Sequence, residues 1–319
     1  MQKPIVLLGQ TGSSFVPELE TALRRKGLPC RALSLDAAFE GRALTVHAGA
    51  VLWEGADLLQ AGAVFVEQPL FPWPQPQIPP EGAPLGREAF GKWAQNQRES
   101  RSLSVAGLCL AAEERPVLNP PAMAHLAASP AMALLLLARA GMAVHPWRLG
   151  PACDFMPGDK RLPEDVKVDP AGPDYWHKAE DPGPDDPTLF LTLSEERVYV
   201  CLVIGDRIAG CIKYANVQAW AADQARLEKG DAIEGADAPG RAFQETSVRA
   251  ASSLGLDFAA IALIENNSGP KNDSKAPPIL FCRAAPDLGA WNRRFSRRVI
   301  PILVDHLARR AMQNKGTSS

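Results

Sequence analysis

The spacing of apolar positions changes several times along the chain, and each change marks an element. Residues 4–8 form an unbroken apolar run ending at Gly9, the pattern of a buried parallel strand. Val16, Leu19 and Leu23 then recur at helical spacing, which predicts a helix over residues 16–26 with Gly27 as its stop. Residues 30–35 return to strand character. Strand, loop, helix, strand is the opening of a doubly wound α/β unit. A hairpin over residues 43–47 and 50–53 and a strand over 63–67 follow.

Residues 68–84 carry seven prolines and are expected as a surface loop, since proline removes a backbone donor and breaks both helix and central strand. Beyond them a long helix is predicted over 88–113, with Phe90, Trp93, Leu103, Leu108 and Leu110 as its apolar residues. A short strand and turn at Val117-Leu118-Asn119-Pro120-Pro121 precede an apolar helix over 131–140, stopped by Gly141, and a strand over 144–149. Residues 150–187, rich in Pro, Gly and Asp, read as a loop or irregular subdomain. Strands are expected at 189–193, 197–204 and 207–214, the last two joined by a Gly205-Asp206 hairpin turn. Residues 216–240 form a polar linking segment. A helix over 241–254 and apolar strands over 258–264 and 278–283 follow. One amphipathic helix over 291–312 places Phe295, Val299, Leu303 and Leu307 inward, and residues 314–319 are a disordered tail. No internal repeat is visible.

Composition adds few constraints. The 319 residues are 46% hydrophobic and 22% charged, which excludes a wholly disordered chain, and the length suits about two domains. A net charge of −2 argues against nucleic acid as a partner, because phosphate-backbone binding needs clustered basic charge. The six arginines at 293, 294, 297, 298, 309 and 310 read as a solvated helix face, with no interleaved aromatics to stack on bases. The longest apolar stretch, residues 131–144, is broken by Arg139 and too short to span a membrane, so a cytoplasmic protein without membrane attachment is expected. The six cysteines and five histidines are dispersed without metal-site spacing, and the cysteines read as buried small hydrophobes. Gly9-Gln10-Thr11-Gly12 between a strand and a helix is either a tight turn or a phosphate cradle, the latter making the chain a nucleotide or sugar-nucleotide binder. It lacks both the P-loop and the dinucleotide spacing.

The order of elements carries more. Val117-Leu118-Asn119, Leu136-Leu137-Ala138-Arg139 ahead of Gly141, Val144-His145-Pro146, Glu196-Arg197-Val198, Leu254-Gly255-Leu256-Asp257-Phe258 and the basic terminal helix succeed one another across nearly the whole chain. This succession resembles the ATP-grasp superfamily, in particular the RimK-like branch of ribosomal protein S6 glutamate ligases. The resemblance implies an α/β plus α+β chain, an ATP-grasp-like fold with an N-terminal Rossmann-like (pre-ATP-grasp) domain over residues 1–118. A central subdomain with a reduced lid would occupy 119–214 and a C-terminal subdomain 215–313. It also implies ATP as a candidate ligand and ligation of a carboxylate to an amine through an acyl phosphate. Two lysines, a glycine-rich loop and Mg²⁺ would neutralise the triphosphate.

Those functional positions are altered. The first lysine falls at Ser129-Pro130-Ala131, and only Lys167 echoes the second. The strand acid falls on Ala262, and the Glu-x-Asn metal pair on Phe281 and Arg283. At 4 Å and an effective dielectric of 20, a guanidinium opposes a dication by about 8 kcal/mol, so Mg²⁺ is not expected at that position. Arg197 matches the arginine that follows an acidic residue on the family's hairpin strand, and Lys213 lies within one residue of another basic position of the family. Arg197, Lys213, Arg283 and Lys167 are therefore the candidate nucleotide- or anion-binding residues. Two functions follow as expectations. One is a degenerate, non-catalytic homologue acting as a binding or accessory subunit, its partner an active ligase, that ligase's substrate or an anionic small molecule. The other is an active carboxylate–amine ligase with a rearranged phosphate site.

Overall fold

The computed structural model describes residues 3–35, 44–47, 49–67, 87–151, 165–168, 187–192, 195–221, 223, 227, 230–233, 239–265, 276–284 and 286–313. Two compact units divide the chain, Met1–Ala122 with Leu303–Ser319, and Met123–Ile302.

In the first unit, β1 (Ile5–Gly9) is buried at all five positions and pairs in parallel with β2 (Cys30–Ser34). The crossover helix α1 (Phe15–Arg25) buries Phe15, Val16, Leu19 and Leu23. An antiparallel sheet of β3 (Leu44–His47), β4 (Ala50–Trp53) and β5 (Ala56–Asp57) follows, then β6 (Ala63–Val66). Helix α2 (Arg87–Glu114) leads to β7 (Val117–Leu118). The parallel sheet runs β2-β1-β6-β7, so the strand order reverses direction between β1 and β6. Val6, Leu8, Trp53, Val64, Leu108 and Val117 share its core. Leu108 lies inward on α2, but Leu103 and Leu110 face solvent, and Ser104 and Ala111 complete the buried stripe instead.

Next along the chain come α3 (Pro121–Ala128), an element with no clear sequence signal that runs into the second unit, and α4 (Pro130–Arg139). The strand predicted over 144–149 is shorter: Val144 makes one parallel bridge to Ile279, and β8 begins at Trp147 (Trp147–Pro151). β9 (Asp165–Val168) lies within a stretch expected as irregular, and it pairs with β10 (Pro187–Thr192), which also pairs with β8. β11 (Val198–Ile204) and β12 (Arg207–Tyr214) form the expected hairpin. Two short elements, α5 (Val217–Ala221) and β13 (Asp231–Ile233), lie in the segment read as a polar linker. Helix α6 (Arg241–Ser253) precedes β14 (Phe258–Ile264) and β15 (Ile279–Arg283).

These strands build one antiparallel sheet, β13-β12-β11-β14-β15, whose central β11 and β14 are buried at every position. That sheet joins residues on both sides of the boundary drawn at 214/215. The single terminal helix predicted over 291–312 is two helices, α7 (Leu288–Arg294) and α8 (Val299–Gln313). Ser296 and Arg297 between them take left-handed φ values of 48° and 66°. Arg297 N–H donates to the Asn292 carbonyl at 2.7 Å, and Ile300 N–H to Asn292 Oδ1 at 3.3 Å, so the buried Asn292 closes one helix and starts the next. The four residues expected inward are buried as the pattern required.

Candidate functional site

Side chains alternate across a strand, so residues two apart share a face. Ala262 lies in register with Phe281, and Ala260 with Arg283. On the neighbouring strands Val200 pairs with both Ala262 and Ile212, and Val198 with Tyr214. Val200, Tyr214, Ala260, Ala262, Phe281 and Arg283 therefore occupy one face, and they line one small pocket. Trp220, Leu227, Asp287 and Trp291 complete its wall. The pocket encloses about 30 Å³, the space of a single water molecule.

Its chemistry is aromatic. The rings of Trp220 and Phe281 lie 5.6 Å apart and tilted by 53°. Trp291 stacks on Phe295 at 5.5 Å. Tyr214 O–H donates to Asp223 Oδ2 at 3.2 Å in a buried contact. Burial, then the Asp223 carboxylate, pushes the Tyr214 phenol well above its ordinary value. Asp287 accepts Ala290 N–H at 2.9 Å and caps α7.

The predicted cations do not share this face. Lys213 is the register partner of Tyr199, whose ring packs on Phe243 of α6 at 5.0 Å on the opposite face. Arg197 lies beside the Tyr199 hydroxyl and 3.4 Å from Glu265, with its side chain 53% exposed. An ion pair that exposed contributes little. Lys167 sits in β9, opposite Phe190. The sheet thus separates Arg283 from Arg197 and Lys213. Near Ser129-Pro130-Ala131, Pro130 is the buried first residue of α4, a position suited to a residue without N–H.

The Gly9 loop has its own explanation. A Cβ on Gly9 would lie 2.6 Å from Val16 Cγ2, so strand and helix meet there only over glycine, and Gly12 takes a φ of 85°. Glu67, just past β6, reaches into the loop. Its Oε2 accepts Gln10 N–H at 2.8 Å, and its Oε1 accepts the Ser13 hydroxyl. A carboxylate of the chain itself holds the donors that a phosphate would need.

Solved structures with this architecture place the fold. The ATP-grasp ligase PsnB complexed with precursor peptide PsnA2 and AMPPNP superposes with a TM-score of 0.70 at 17% identity, covering 98% of each chain. The chain has the ATP-grasp fold. The macrocyclase MdnB from Microcystis aeruginosa MRC matches at a TM-score of 0.63 and 15% identity, over 96% of this chain and 99% of its own. A RimK domain ATP-grasp protein from Sphaerobacter thermophilus DSM 20745 matches at 0.56 and 16%, over 95% and 98%. No family model and no curated protein matches the chain.

Within the ATP-grasp fold, the positions that the family resemblance assigns to metal ligands do meet in one pocket, but as a methyl group, a phenyl ring and a guanidinium. None offers the oxygen that Mg²⁺ requires, so this donor set does not fit the ion. Among the described residues no group of three or more His, Cys, Asp or Glu could hold a metal, and no helix is long and apolar enough to cross a membrane. Sequence reasoning found Ala262, Phe281 and Arg283. It missed Tyr214, Trp220, Asp223 and Trp291, whose convergence depends on α5 and the α7–α8 break.

Proposed function

We propose that this ATP-grasp-fold chain has lost ligase chemistry and acts as a binding or accessory subunit whose ligand is a peptide. The observation that carries the reading is the pocket formed by Ala262, Phe281 and Arg283. A site that transfers a phosphoryl group must neutralise it with cations, and here the position that the resemblance assigns to metal ligands holds apolar surface and a guanidinium. The peptide half rests on PsnB, which is complexed with precursor peptide PsnA2, and on the macrocyclase MdnC bound with precursor peptide MdnA. The chain's own geometry favours no second reading: a rearranged phosphate site would need Arg197, Lys213 and Arg283 on one face.

Two measurements test this. ADP formation from millimolar ATP, with and without Mg²⁺ and a candidate precursor peptide, is expected to stay at background under every condition. Calorimetric titration of that peptide is expected to give heat of binding with or without ATP. Mg²⁺-dependent ADP formation would overturn the non-catalytic reading, and absence of binding to any precursor peptide encoded beside the chain would overturn the peptide half.

A further inference from the structure

The face of the large sheet opposite the aromatic pocket carries two cysteines in register. Cys201 on β11 is the direct partner of Cys211 on β12, and their sulfurs are 3.5 Å apart, one S–H donating to the other. Directly opposed residues on antiparallel strands have Cα atoms about 4.5–5.5 Å apart, inside the range a disulfide accepts. Bond formation here needs side-chain rotation and little backbone movement. Both are free thiols in this structure.

Access distinguishes the two sulfurs. Both thiols are buried, but Cys201 is completely so, whereas Cys211, 3% exposed, lines an open groove of about 970 Å³ between β12 and α6, bordered by Arg207, Arg249 and Arg298. A small oxidant in that groove meets Cys211 first and has Cys201 directly behind it. The shared S–H···S contact favours loss of the first proton at Cys201 and opposes the second at Cys211, while burial opposes both. Cys282 provides an internal contrast. It is equally buried, and burial alone pushes it up to about 12, but Ile261 of β14 lies between it and Cys201 in the sheet. Two strand spacings, about 9–10 Å, put it out of disulfide reach.

We propose that Cys201 and Cys211 are a modification site, a dithiol that a hydroperoxide converts reversibly to a disulfide. The pair loses one proton, the shared proton crosses the S–H···S contact to Cys201, and the Cys211 thiolate so formed attacks one peroxide oxygen and breaks the O–O bond, giving a sulfenic acid and releasing hydroxide, which takes up the proton the pair lost as water. Cys201 sulfur then attacks the sulfenic sulfur. The S–O bond breaks, and hydroxide leaves with the Cys201 proton as a second water. The thiols together lose two electrons and two protons, and hydrogen peroxide gains them. The new bond ties β11 to β12 across the hairpin and fixes the groove floor beside α6.

The test is hydrogen peroxide on the native protein, followed by alkylation, digestion and mass spectrometry. The denatured thiol count is expected to fall from six to four, with residues 201 and 211 in one cross-linked peptide pair, and dithiothreitol is expected to restore all six. Cys282→Ser is expected to leave the cross-link intact, and Cys211→Ser to abolish it. Recovery of Cys201 and Cys211 as separate alkylated or over-oxidised residues, or as disulfides to other cysteines, overturns the proposal. Since the first readout uses the unmodified sequence, a misfolded variant does not obscure it.

Discussion

Tyr214 extends from the end of β12 into the aromatic pocket and donates its hydroxyl to Asp223, with almost none of its surface left to water. Ionising it would place a phenolate against a buried carboxylate in an apolar wall. Its folded value is therefore raised, first by burial and then by Asp223, and Tyr199 is raised by burial and then by Glu265. Cys282, at about 12, follows the same rule. Each is an acid bound more tightly to its proton in the folded state. Their contribution to stability is complete below the unfolded values, near 9 for the thiol and 10 for the phenols, and is lost as pH rises through the folded ones. The unfolding free energy from urea titration is expected to hold between pH 7 and about 9, then fall by up to about 1.4 kcal/mol per group per pH unit. Tyr214→Phe removes one such group, and its curve should fall less steeply above pH 10 even if it starts lower. Equal slopes for the two proteins would show that Tyr214 ionises freely.

At the level of elements, the two faces of the central sheet obey different constraints. Gly210 on β12 lies under Phe295, where a Cβ would sit 2.7 Å from the ring. Phe295 cannot retreat, because it stacks on Trp291 and follows directly after α7. Gly210→Ala is expected to destabilise by about 1–3 kcal/mol in denaturant unfolding, the usual cost of overpacking. An unchanged midpoint would mean that the ring can shift. The same packing shows what local pattern can and cannot reveal. β11 and β14 were plain in the sequence because a strand buried on both faces is a continuous apolar run. The break between α7 and α8 was hidden: Phe295, Val299, Leu303 and Leu307 keep helical spacing across it, and nothing about Ser296 or Arg297 announces a left-handed backbone. β9 was hidden for the opposite reason, a four-residue strand among prolines and glycines that depends on β10 for its partner. The pocket was half legible. Ala262, Phe281 and Arg283 could be located by element order, whereas their aromatic neighbours arrive from segments with no periodicity of their own.

For the whole molecule, the chain leaves its first unit at Ala122 and returns to it at Leu303, so that unit is built from two segments distant in sequence. Two contacts make that return specific. Lys26 pairs with Asp305, and the Ala311 methyl lies 3.3 Å from where a side chain on Gly62 would begin, while Leu303 and Leu307 of the returning segment are completely buried. The exposed ion pair adds little. The two leucines alone are worth about 3–6 kcal/mol of burial, against a total stability of about 5–15 kcal/mol for a typical domain. A chain ending at Ile302 keeps every residue of the second unit and removes this contribution from the first. Hydrogen exchange separates the consequences. Amides of β1 and β6 are expected to lose most of their protection, while those of β11 and β14 keep theirs, because both sheets close entirely within their own units. Retained protection in β1 would mean that the N-terminal core stands without α8. Loss in β11 as well would mean that the two units unfold as one.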